Sequence, residues 1–180
     1  MGTRGWQKIP WAVAVVLPLL AAPARAGAAE ISAGGSFGWI QIGDDSRPAV
    51  GPQAAISWPF ERDFLFMVHD LFTVLLATQD GGLGVYNQTS LDVGVTWEDG
   101  HFSLGPSIAL YDMPSCGVAL CGRVAGVAIG GHAQVNSYFA GPLGWSTSAH
   151  VQWLGGDSPV LPGHAAFVVV AGPVLRWTIE

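Results

Sequence analysis

Residues 90–112 read SLDVGVTWEDGHFSLGPSIALYD. Leu91, Val93, Val95 and Trp97 alternate with Ser90, Asp92, Gly94 and Thr96. After Glu98-Asp99-Gly100 the pattern resumes, with Phe102, Leu104, Ile108 and Leu110 set against Ser103, Gly105, Ser107 and Ala109. Successive side chains of a strand point to opposite faces, so this is a β-hairpin with one apolar and one polar face. The direction of the apolar face decides the fold. An apolar exterior requires a lipid bilayer, whereas a polar exterior belongs to a soluble barrel or sandwich.

The same period of two recurs along the chain between Gly, Pro and Asp clusters, and no ten-residue stretch after the N-terminal segment shows a helical period. Eight strands are expected, at 30–42, 48–58, 64–77, 84–97, 101–112, 122–139, 143–154 and 165–179. In the seventh, Leu143, Trp145, Thr147, Ala149, Val151 and Trp153 oppose Gly144, Ser146, Ser148, His150 and Gln152. The third, FLFMVHDLFTVLLA, is apolar on both parities, and His69 and Asp70 fall on opposite faces unless a bulge turns both inward. A buried amphipathic helix is an open alternative there. Connections after strands two, four and six are short, while those after one, three, five and seven are longer or richer in turn residues: GDDSRP, TQDGGL, DMPSCGVALC and GGDSPVLPG. Short turns at one end and longer loops at the other mark an up-and-down transmembrane barrel.

Composition decides which face is wet. Arg4 and Lys8 precede an apolar run from Trp11 to Ala22 and the small-residue site Ala24-Arg25-Ala26, the layout of a secretory signal peptide. Residues 1–26 are therefore expected to be a cleaved leader, and 27–180 one domain. Without the leader the chain has no lysine and four arginines, Arg47, Arg62, Arg123 and Arg176, against thirteen acids, a formal charge of −9. No basic stripe remains to neutralise phosphates, which excludes nucleic acid as a partner. A soluble surface carries charge at roughly a quarter of its residues. Here the polar face is Ser, Thr, Gly, Gln, Asn and His with isolated charges, the chemistry of a hydrogen-bonded lumen.

Aromatic placement is an independent test. Trp58, Phe64, Trp97, Phe102, Phe139, Trp145 and Trp177 fall beside the short turns or at the matching end of the last strand, and Trp39, Tyr111 and Trp153 lie toward the longer loops. Two such groups form the girdles of a bilayer-spanning wall.

In length, strand count, alternation of turns and loops, and girdles, residues 27–180 resemble the small eight-stranded outer-membrane barrels of the OmpA or OmpX type. The resemblance implies an all-β, eight-stranded antiparallel up-and-down transmembrane β-barrel in the bacterial outer membrane, with the bilayer and lipopolysaccharide as its partners. Such barrels usually end in an aromatic residue read by the assembly machinery, whereas these residues end Trp177-Thr178-Ile179-Glu180, so either Trp177 serves that role from three residues back or the recognition element is atypical.

The interior sets the candidate sites. If the turn at Ala140-Gly141-Pro142 pairs Phe139 with Leu143, His132 lies opposite His150 inside the barrel. Two imidazoles invite a metal or proton-transfer reading. The plainer reading is a hydrogen-bonded plug, in which His132, Gln134, Asn136, His150 and Gln152 fill the lumen and Asp92 and Arg176 supply paired charge. Cys116 and Cys121 are the only cysteines, have four residues between them with no histidine near, and are expected to staple a loop as a disulfide. No metal site and no cofactor are expected, since Gly81-Gly82 and Gly130-Gly131 have no nucleotide-binding context. A structural or surface-interaction role follows. The alternatives are a lipid-modifying outer-membrane enzyme built on His69 and Asp70, and a secreted lipocalin-like barrel holding an apolar ligand.

Overall fold

The computed structural model describes residues 28–42, 45–61, 63–76, 82–116, 121–155 and 165–179. The expected leader lies outside them. Eight strands follow in chain order: β1 (Ala29–Ile42), β2 (Asp45–Glu61), β3 (Phe64–Leu75), β4 (Gly84–Trp97), β5 (Gly100–Cys116), β6 (Cys121–Ala140), β7 (Leu143–Gly155) and β8 (Ala165–Ile179). Each pairs antiparallel with the next, and β8 pairs with β1, so the sheet closes. This is an all-β, eight-stranded antiparallel up-and-down barrel.

Three strands run further than the residue pattern indicates. β2 begins at Asp45, and β5 and β6 extend to Cys116 and Cys121, absorbing most of GDDSRP and DMPSCGVALC into the ladder. Turn-type residues stop a strand only where no partner continues beside it. Here Ser46 faces Gln41 and Pro114 faces Arg123. A bond of 2.9 Å from Arg123 Nε to Asp112 Oδ1 ties β5 to β6 at the base of the extension. The third strand is regular across its centre, with no bulge between Met67 and Leu71.

The register fixes the shape. Starting at Leu143 of β7 and stepping once around the wall through Leu175, Ala33, Ala54, Asp70, Thr89, Ile108 and Ile129, the path returns to β7 at Trp153. The sheet is thus sheared by ten residues, from 143 to 153. With ~3.3 Å per residue and ~4.8 Å between strands, eight strands sheared by ten tilt at about 41° and enclose a backbone cylinder of radius about 8 Å. Side chains alone fill such a space.

Which side chains point where follows the alternation. Leu91, Val93, Val95, Leu104, Ile108 and Leu110 are all turned outward, at 43–56% exposure, while Ser90, Asp92, Ser103 and Ser107 are buried. The apolar face is the exterior, as in a lipid-facing wall, and a soluble barrel with an apolar lumen has the opposite arrangement. Among the described residues no helix is long and apolar enough to cross a membrane.

The interior is layered. Toward the long-loop end Ile40, Leu71, Leu75, Tyr86, Met113 and Leu154 pack into an apolar tier. Toward the short-turn end Ala55, Leu65 and Met67 form a smaller one. This accounts for the doubly apolar third strand: its inner face sends Leu65, Met67, Leu71 and Leu75 into the two tiers and His69 between them.

Candidate functional site

Between the two apolar tiers, β3, β4, β6 and β7 direct polar side chains to one level. His69, Asp92, His132 and His150 are each at most 4% exposed. The imidazoles stack: His132 lies 4.9 Å from His69 with the rings 4° from parallel, and 4.5 Å from His150 at 28°. Strand register places them there, since His132 is the direct cross-strand neighbour of His150 on β6–β7. Phe139 is bulged out before a two-residue turn, so this register holds although Ala140, not Phe139, pairs with Leu143. Gly141 takes φ 58° in that turn, a conformation glycine adopts without strain.

Hydrogen bonds tie the stack to the wall. His132 Nδ1 is 2.7 Å from Asp92 Oδ2 and 3.0 Å from Ser90 Oγ. The hydroxyls of Ser90 and Ser103 donate to the same carboxylate oxygen at 3.3 and 3.5 Å. His150 meets Ser148 Oγ at 3.0 Å through Nε2 and Gln88 through Nδ1. Above it, Tyr86 donates to Gln152, and Gln152 Nε2 donates to Ser107 Oγ at 2.9 Å. Below, Gln134 Nε2 donates to Asn136 Oδ1 at 2.9 Å and Ser146 Oγ at 3.0 Å, and Asn136 reaches His101 at 3.0 Å. Gly105 makes room for the carboxylate: a Cβ there would stand 2.7 Å from Asp92 Oδ1 and 2.0 Å from the Leu91 carbonyl oxygen.

Asp92, His132, Gln134, Asn136, His150 and Gln152 are all buried in the lumen in three hydrogen-bonded groups, Asp92 with His132, His150 with Gln88, Tyr86 and Gln152, and Gln134 with Asn136, and ring stacking joins the first two. Arg176 does not pair with Asp92. It sits at the short-turn mouth, 3.8 Å from Glu30 Oε1 and 4.0 Å above the ring of Tyr138. The cause is position: Arg176 lies three residues from the end of β8, whereas Asp92 is five residues inside β4. That mouth holds a cavity of about 240 Å³ lined in part by Glu30, Thr96, Glu98, His101 and Arg176.

His69 and Asp70 are parted by the wall. His69 joins the stack, and Asp70 points outward, where Oδ2 accepts a bond of 2.9 Å from Thr89 Oγ1. The two therefore form no catalytic dyad. Ser90 and Asp92 offer none either: both address Nδ1 of His132, whereas a nucleophile relay needs the hydroxyl on the other ring nitrogen. Stacked rings also carry their nitrogen lone pairs side by side instead of converging, and among the described residues no three His, Cys, Asp or Glu groups are arranged to hold a metal.

The girdle residues Trp39, Trp58, Trp97, Phe102, Phe139, Trp145, Trp153 and Trp177 all lie on outward parities, with exposures reaching 68% at Phe139. Tyr111 does not join them; it is 5% exposed and packs in the upper apolar tier, because it shares the parity of Ser107 and Ala109. Backbone register sets Cys116 opposite Cys121. Tyr86, Gln88, His101 and Ser148 belong to the hydrogen-bonded groups without standing out in the sequence; parity on β4, β5 and β7 was the signal that marks them.

No protein-family model matches the chain, and no curated protein matches it. Solved structures do. The barrel is similar to Ail, the attachment invasion locus protein of Yersinia pestis, at TM-score 0.57 and 11% identity over 84% of this chain and 99% of that one. It is similar to the N-terminal β-barrel domain of Pseudomonas aeruginosa OprF at TM-score 0.50 and 14% identity, covering 84% and 98%. The outer membrane protein AlkL, solved in lipid bilayers, matches at TM-score 0.50 and 8% identity over 89% and 95%. The shared property is the fold, that of small eight-stranded outer-membrane barrels. With its apolar outer wall, this chain spans a bilayer of that kind.

Proposed function

We propose that this chain is a sealed outer-membrane barrel with a structural or surface-interaction role, its interior plugged by side chains. The supporting observation is the continuous filling of a narrow cylinder: an apolar tier around Leu71, Leu75, Tyr86 and Met113 above, the Asp92, His132 and His150 network at the centre, and Leu65 and Met67 below. An eight-stranded barrel is narrow enough for such side chains to close it. Solutes then have no path, and contact with the outside belongs to the rim. The test is conductance of the purified barrel in a planar bilayer. A silent bilayer at protein loads that give robust vesicle incorporation supports the reading, and stepwise ion currents overturn it.

On this reading residues 1–26 direct export, and N-terminal sequencing of membrane-extracted protein starts at Gly27. Cys116 and Cys121, opposed in register at the tip of β5–β6, close a disulfide, visible as two thiols that react with maleimide only after reduction. The outer leaflet supplies lipopolysaccharide as the surrounding lipid. Ail has been crystallised with the heparin analogue sucrose octasulfate. A sulfated glycan is not the ligand proposed here, because 43–44, 77–81, 117–120 and 156–164 contain no lysine or arginine. Of the arginines near that rim, Arg47 is buried and Arg123 is held by Asp112 and the Leu83 carbonyl.

A further inference from the structure

The cavity at the short-turn mouth meets the lower apolar tier at Leu65, and its polar lining includes Glu30, Thr96, Glu98, His101 and Arg176. Two hydrogen-bond donors of that lining lack acceptors. A guanidinium carries five N–H donors in a planar fork. Among the described residues, that of Arg176 makes one ion contact, 3.8 Å to Glu30 Oε1, which is longer than a hydrogen bond. It also lies 4.0 Å over the ring of Tyr138, itself only 5% exposed. The phenol ring thus covers one face of the fork, and its N–H edges remain open.

His101 is the second donor. Gln134 Nε2 donates to Asn136 Oδ1, which sets the amide so that Asn136 Nδ2 donates to His101 Nε2 at 3.0 Å. Nε2 is therefore the accepting nitrogen, and the ring proton sits on Nδ1. No described residue supplies Nδ1 with an acceptor, although the side chain is almost wholly buried and borders the cavity. The His101 and Tyr138 ring centroids are 6.3 Å apart, so His101 and Arg176 flank one phenol ring.

Such a pair of donors fits a carboxylate, which takes a guanidinium fork through two oxygens and keeps lone pairs for an imidazole N–H. A bare anion does not suit the rest of the lining. Glu30 and Glu98, both reached by solvent, set two carboxylates against one guanidinium. A ligand that satisfies both halves carries a positive charge as well. Size limits it further: 240 Å³ is less than the ~300–1,000 Å³ of sites for drug-sized molecules.

We propose that the short-turn mouth binds a small zwitterion, an amino acid or dipeptide, with its carboxylate on Arg176 and His101 and its ammonium group on Glu30 and Glu98. Leu65 and Trp97 border the same space and offer apolar surface to its side chain. Short turns of outer-membrane barrels face the periplasm, so the ligand comes from that compartment. This site goes beyond the sealed-barrel reading, since it lies below the plug and needs no path through it.

The test is calorimetric titration of the full mature chain in detergent micelles with alanine and with alanyl-alanine. The N-acetylated form of each, which lacks the ammonium group, and the amidated form, which lacks the carboxylate, are titrated alongside. One or both zwitterions should saturate the protein at one-to-one stoichiometry, and the blocked forms should bind roughly tenfold more weakly or worse. Arg176→Gln should weaken zwitterion binding by a similar factor, while Arg123→Gln at the opposite rim leaves it unchanged. The mobility difference between boiled and unboiled samples reports folding of each variant. Glu98 lies on the exposed turn, and Glu98→Gln should narrow the preference for a zwitterion over its acetylated form even where Arg176→Gln does not fold. No saturable heat with either zwitterion, equal affinity for the blocked forms, an affinity untouched in folded Arg176→Gln, or a preference unchanged in Glu98→Gln each overturn the proposal.

Discussion

The Nδ1 nitrogen of His132 stands 2.7 Å from Oδ2 of Asp92 with both side chains wholly shielded from solvent, so a buried polar contact links β4 to β6 inside the barrel. β5 lies between those strands in the wall, and the pair therefore bridges a quarter of the circumference from inside. Removing one partner of a buried polar contact leaves the other unsatisfied, at a cost of about 1–3 kcal/mol. His132→Phe should accordingly lower the urea midpoint of the micelle-bound barrel far more than Asp92→Asn, which keeps an acceptor for the imidazole. Equal small losses in the two variants would show that the contact carries little.

The upper apolar tier is expected to behave as a conventional core. Leu71 and Leu75 have no exposed surface. Truncating either to alanine should cost about 2–5 kcal/mol through lost burial and the cavity left behind. Chemical unfolding followed by tryptophan fluorescence measures this, and a loss below 1 kcal/mol would indicate that the tier is loosely packed.

Two glycines separate space from sequence. A Cβ at Gly105 would fall 2.0 Å from the Leu91 carbonyl oxygen, whereas at Gly131 the nearest atom is 3.9 Å away. Gly105→Ala should leave most of the protein unable to reach the heat-modifiable, folded form, while Gly131→Ala should fold like the parent. The ratio of the two gel bands in unboiled samples decides it.

The lipid-facing wall predicts a fourth class of effect. Leu91 is 51% exposed, six residues above Trp97 in the lower girdle. Leu91→Arg places a cation near the bilayer midplane and should cost about 2–4 kcal/mol. The same substitution in a soluble barrel would be nearly neutral. A negligible loss in a bilayer-reconstituted sample would argue that Leu91 does not face lipid.

Most of the fold is legible in the residues because a closed barrel exposes the period of two directly. Leu91 to Trp97 against Ser90 to Thr96 states both the strand and its orientation. The same parity places Tyr111 inside, though its aromatic ring and its nearness to a loop argue for the girdle. Strand ends were harder to read. Asp45, Pro48 and Pro114 look like turn residues, yet the neighbouring strand continues beside them and the ladder follows it. The central network was partly legible: turn position and register bring His132 to His150, but the stacking of His69 depends on three strands meeting across the lumen, which no single hairpin encodes. Arg176 was misplaced relative to Asp92 because height within a tilted barrel depends on the shear, and the shear emerges only when all eight registers are known.

Seven of the eight strand pairings join neighbours along the chain, and the eighth, β1 with β8, sets Ala29 beside Ile179. Closure is therefore a single long-range event appended to a series of local ones, and the slow step of folding is expected at that seam. The two ends of the described chain also emerge side by side at the short-turn rim. Joining them and reopening the chain within 156–164 would move the seam to β7–β8 while leaving every pairing of the wall intact, so the cylinder itself does not prescribe which strand is first.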